Sequence, residues 1–136
     1  MTEKLLYVAA ANFEAARRVS ILPEGHRSRN LHGHSFLAKV RCALPDGWAS
    51  FPGGEVRELR ERLASIIAPL DYNELNQELE QPTDENLARW VMAQATFPGI
   101  ESVGVQSTLH EGVDLDNKEH AHVWRRYIFQ SAHRLP

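Results

Sequence analysis

Disulfides, membrane spans and basic tracts are all missing from this chain, and each absence removes a class of protein. A single cysteine, Cys42, rules out an internal disulfide framework and permits a reducing compartment. No apolar run approaches the ~18 residues of a membrane-spanning helix, and the N-terminus has no signal-peptide core. A cytoplasmic protein without a membrane partner is therefore expected. With a formal net charge of -3 and no basic run, nothing attracts nucleic acid in general. What remains is 136 residues of ordinary composition, 43% hydrophobic and 24% charged. That suits one globular domain, which buries about two-thirds of its unfolded surface without a disulfide or metal staple.

Periodicity orders the elements. Leu5 to Val19 is rich in aliphatic and small residues with no helical stripe, which predicts a long strand, bulged at Ala9-Ala10-Ala11. Ser20 to Leu31 is a polar loop. His34 to Leu44 alternates strictly, with His34, Phe36, Ala38, Val40 and Cys42 on one face, so it predicts a half-buried strand antiparallel to the first. Val56, Leu59, Leu63, Ile66, Ile67 and Leu70 recur at helical spacing and make Glu55 to Leu70 an amphipathic helix. Thr83 is an N-cap for a second helix, with Asp84 and Glu85 at its positive end and Leu87, Trp90, Val91 and Met92 as its stripe. Ile100 to Leu109 and His122 to Ser131 read as strands joined by an acidic loop, Glu111 to Glu119. The expectation is an α+β fold: a four-stranded antiparallel sheet, ββααββ, with two helices on one face. Its other face then calls for cover, hence an oligomer.

Two features point to chemistry. His32 and His34 stand two apart at a strand entrance, so both imidazoles point the same way and can meet one ion; loop histidines bonded to backbone are the plainer alternative. The segment Phe13 to Val19 also returns as Phe129 to Leu135, with Phe, Ala and Arg in place but Arg17 replaced by His133. An offset the size of a small domain predicts a duplicated unit. The domain is accordingly expected to span 1–121, with 122–136 as its last strand running into the start of a second copy.

Several phrases, in this order, resemble the 6-pyruvoyltetrahydropterin and 6-carboxytetrahydropterin synthases, members of the tunnelling fold. They are Phe13–Val19, Pro23-Glu24-Gly25-His26, Leu31-His32-Gly33-His34-Ser35-Phe36, Leu70-Asp71-Tyr72-Asn73-Glu74-Leu75-Asn76 and Pro82-Thr83-Asp84-Glu85-Asn86. The resemblance covers nearly the whole chain. It implies a hexamer-like oligomeric barrel with active sites between subunits and a pterin-type small molecule as substrate. It further implies Zn2+ on three histidines, one from the first phrase and two from His-Gly-His, binding the side chain of dihydroneopterin triphosphate. The resemblance also implies, for intact members, a cysteine before His-Gly-His as base, aided by an Asp-His pair, and a glutamate on a later strand that anchors the pterin. The bacterial carboxy-forming members serve queuosine biosynthesis.

Carried over by position, the resemblance leaves His32, His34 and Asp71 intact and departs elsewhere. Arg17 stands at the first zinc histidine, and a guanidinium offers no lone pair. Ser28 stands at the base, Tyr72 at the partner of Asp71, and Ser107 at the pterin anchor, with Glu111 nearby as a substitute. His26 and His133 are the candidate replacements for the third ligand; His120 and His122, among charged neighbours, read as a solvated strand end. Three readings follow: a zinc-dependent pterin lyase with an impaired site, a silent structural half completing an oligomer, or a pterin- or purine-binding module without turnover.

Overall fold

The computed structural model describes residues 3–132 and 134. The apolar opening segment forms β1 (Tyr7–Arg17), and the alternating one forms β2 (His32–Cys42). They pair antiparallel without interruption, from Tyr7 opposite Cys42 to Arg17 opposite His32. The expected bulge at Ala9–Ala11 is therefore replaced by regular pairing, since three small side chains fit the pleat without an extra residue. β2 starts at His32, so both histidines lie within the strand rather than before it.

Two helices cover one face. α1 (Glu55–Ile67) packs on β1 and buries Leu59, Leu63 and Ile67, while Val56 in its first turn is exposed. α2 (Asp84–Gln94) packs on β4 (Ile100–Thr108) and β5 (Glu111–Asp116), burying Leu87, Ala88 and Val91. Its cap is as expected: the Thr83 hydroxyl accepts from the Asn86 amide at 3.2 Å. Beneath the helices lie Phe13, Phe36, Val40, Val103 and Val105. Each fully buried aliphatic or aromatic side chain of this kind contributes roughly 1.5–3 kcal/mol.

Among the described residues the sheet has six strands, not four, in the order β3-β1-β2-β4-β5-β6, where β3 is Asn73–Glu74 and β6 is Ala121–Arg125. All neighbours are antiparallel except β1 and β3. The acidic loop expected after Leu109 holds β5. Its carboxylates Asp114 and Asp116 alternate with Val113 and Leu115, which are buried, so charge masked a period of two. Gly112 makes β5 possible here: a Cβ there would lie 2.7 Å from the Val105 carbonyl and 2.8 Å from the Trp124 ring. β6 ends at Arg125, short of the expected Ser131, because no layer covers Tyr127 and Phe129, which are exposed.

The face away from the helices carries Asn12, Glu14, Ser35, Lys39 and Arg41, all exposed. The same face also carries Val8, 40% exposed, and the half-buried Leu37. No helix among the described residues is long and apolar enough to cross a membrane.

Candidate functional site

Register places the candidate residues at one end of the sheet. Arg17 lies opposite His32, Ala15 opposite His34, and Phe13 opposite Phe36, all on the helix-covered face. The Phe13 and Phe36 rings stack at 4.9 Å, nearly parallel at 6°. The Arg17 guanidinium lies over the Phe36 ring at 5.1 Å, a cation–π arrangement.

His32 and His34 meet edge to face with ring centres 4.7 Å apart. His32 Nδ1 lies 2.8 Å from the Asn30 carbonyl; a carbonyl only accepts, so Nδ1 carries a proton. The pKa of His34 is lowered, first by burial and then by the Arg17 and His32 charges, so this imidazole is neutral at physiological pH.

Arg17 occupies the third position with a buried cation. Its Nη1 donates to Asp84 Oδ1 at 2.6 Å and to the Pro82 carbonyl at 3.0 Å. The other Asp84 oxygen accepts from Ser107 Oγ at 2.9 Å. Arg17 is 8% exposed and Ser107 2%. Nε of Arg17 is buried without a hydrogen-bond partner among the described residues. Among the described residues, no group of three or more His, Cys, Asp or Glu side chains is arranged to hold a metal ion.

The remaining candidates are engaged elsewhere. Ser28 lies in the turn Arg27–Arg29; its amide donates to His26 Nδ1 at 3.1 Å and its carbonyl accepts from the Val19 amide at 2.9 Å. His26 therefore has one ring nitrogen committed to its own loop. Asp71 Oδ1 accepts from the Glu14 amide at 2.9 Å, and the Tyr72 amide donates to the Glu14 carbonyl at 2.6 Å. The Tyr72 side chain is 83% exposed, on a backbone with φ of 56°. Asp71 and Tyr72 thus fasten the backbone of β1. Glu111 pairs with Arg125 at 3.1 Å, and His120 and His122 pair with Asp116. His133 lies outside the described residues. Cys42 offers no alternative base: buried, its thiol is pushed up to about 11.

In the sequence Asp84 reads as a helix-start acid within the matching phrase Pro82-Thr83-Asp84-Glu85-Asn86, not as a site residue. An acid in a first helical turn already has a local explanation. The usable signal was Arg17 itself, since an arginine on the inward face of a strand requires a buried acceptor.

Sheet order, paired helices and a His-Gly-His strand entrance define a pterin-synthase type of fold. The model of the 6-pyruvoyl tetrahydropterin synthase family matches residues 7–112, and the chain belongs to that family. It is 36% identical over 109 residues to the 6-carboxy-5,6,7,8-tetrahydropterin synthase of Synechocystis, covering 71% of this chain and 81% of that one. It is 28% identical over 93 residues to the dihydroneopterin monophosphate aldolase of Pyrococcus furiosus, covering 67% and 73%. In structure it resembles the Caenorhabditis elegans 6-pyruvoyl tetrahydropterin synthase, with a TM-score of 0.58 at 16% identity, over 90% of this chain and 96% of that one. That likeness concerns the fold.

Proposed function

We propose that this chain is a 6-carboxytetrahydropterin or 6-pyruvoyltetrahydropterin synthase-like protein whose own lyase centre is out of use. On this reading it completes an oligomer rather than converting dihydroneopterin triphosphate itself. One observation carries the proposal: the Arg17 guanidinium, held by Asp84 and Pro82, stands beside His32 and His34 where the family resemblance calls for a third imidazole. Catalytic zinc takes three protein ligands and one open position. Two imidazoles and a permanent cation do not fit that need, because a guanidinium donates no lone pair and its charge opposes a dication.

The other positions support the same reading. Ser28 is a far poorer base than a cysteine at neutral pH, and Tyr72 points to solvent instead of partnering Asp71. A pterin-binding module is less well supported. It needs a free carboxylate to meet the amino-pyrimidine edge, whereas Asp84 is engaged by Arg17 and Ser107, and Glu111 is paired with Arg125. The two sheet edges, β3 and β6, are the surfaces through which further copies would join.

The test is direct turnover. Purified chain with added zinc and dihydroneopterin triphosphate should give no pterin product by chromatography, and dihydroneopterin monophosphate should likewise be left intact. Product formation from either would overturn the reading. Light scattering should find more than one chain per particle; a monomer would remove the oligomeric part.

A further inference from the structure

Three elements of the chain meet at Arg17. β1 supplies the guanidinium, the start of α2 supplies Asp84 and the preceding Pro82 carbonyl, and β4 supplies Ser107. Arg17 and Asp84 are 67 residues apart, and their side chains are only 9% and 14% exposed. Both oxygens of Asp84 are used, one by Arg17 and one by Ser107. We infer that Arg17, Asp84 and Ser107 form an internal ionic clasp, in which the chain supplies for itself the positive charge and cross-linking of a bound ion. This corner of the fold is then independent of metal. The inference starts from the non-catalytic reading but is tested separately from it.

The geometry explains why each member is needed. A carboxylate this deeply placed costs free energy unless its charge is met, and Arg17 meets it at 2.6 Å. The amino end of α2 adds a favourable field at Asp84. Ser107 holds the second oxygen, which fixes the carboxylate plane toward β1. Arg17 also braces the Pro82 carbonyl, so the turn entering α2 is tied to the end of β1. A flat guanidinium can do this while stacked on Phe36; an ammonium has no planar face to lay on the ring. Arg17→Lys is therefore not a neutral exchange.

Thermal melts of the whole chain test the clasp. Wild type should melt at the same temperature, within about 1 °C, in chelator and in excess zinc. Arg17→Met and Asp84→Leu should each lower the melting temperature by roughly 10 °C or more, since either leaves a buried charge alone. The double variant should recover much of that loss, the signature of coupled residues. Additive losses would overturn the clasp, as would a rise of more than about 5 °C in wild type with zinc. Should the single variants not fold, Ser107→Ala and Arg17→Lys serve instead: each should lower the melting temperature by a few degrees, and no shift in either would overturn the inference. Turnover of dihydroneopterin triphosphate with the coupling intact and the melt unmoved by zinc would defeat the non-catalytic reading alone. Additivity in a chain without zinc would defeat the clasp alone.

Discussion

Replacing Phe13 and Phe129 by alanine, one at a time, separates two chemically similar sites that the fold treats oppositely. Each opens the same repeated phrase, yet Phe13 is 1% exposed and Phe129 is 86% exposed. Phe13 stacks on Phe36, which in turn lies under Arg17, so its loss opens a void at the centre of the sheet. Truncating a buried phenylalanine costs about 3–5 kcal/mol, and for a chain of this size that lowers the melting temperature by about 10–20 °C. Phe129 touches little, so its truncation should fall within about 0.5 kcal/mol of wild type. Urea unfolding followed by tryptophan fluorescence reads both, and an unchanged slope against urea keeps the comparison two-state. Comparable losses in the two variants would refute the reasoning, because Phe129 would then be packed in the protein in solution. A loss below about 1 kcal/mol for Phe13→Ala would refute the placement of β1 over the core.

Other outcomes follow from single contacts. Gly99→Ala should destabilise by more than about 1 kcal/mol in chemical denaturation, since φ there is +65° and a Cβ would lie 2.1 Å from the Ala43 carbonyl. Thr83→Ala should cost about 1 kcal/mol of stability through the lost cap on α2, and Thr83→Ser should restore most of it. Cys42 should resist a thiol reagent at pH 8 in folded protein and react fully in denaturant, because burial pushes its thiol up to about 11. His34 should titrate by NMR below its ordinary value of 6.5. A histidine with a lowered folded pKa binds its proton more weakly when folded. Its contribution is full above pH 6.5 and fades as pH falls below that, so His34→Gln should flatten the loss of stability on acidification.

Much of this architecture is legible in the sequence because its periods are clean. The alternation through Phe36, Ala38 and Val40, and the helical spacing of Leu59, Leu63 and Ile67, each allow one reading. β5 was hidden because Glu111, Asp114 and Asp116 make a strand look like a solvated loop, and β3 is too short to show a period. The end of β6 is obscured for the opposite reason: Val123, Tyr127 and Phe129 alternate as a strand would, but no layer receives them. At the candidate site, the shared face of His32 and His34 follows from their spacing. The pairing of Arg17 with Asp84 does not, since it joins residues far apart through the fold, and the acid had a sufficient local role as a helix-start residue. Nor does the sequence show Ser107 as a buried donor to that same acid.

Metal content tests the central claim most directly. Protein prepared with ample zinc, passed through gel filtration and analysed by mass spectrometry should carry far less than one zinc per chain, and Arg17→His should carry more. One tightly held zinc per wild-type chain would contradict the account.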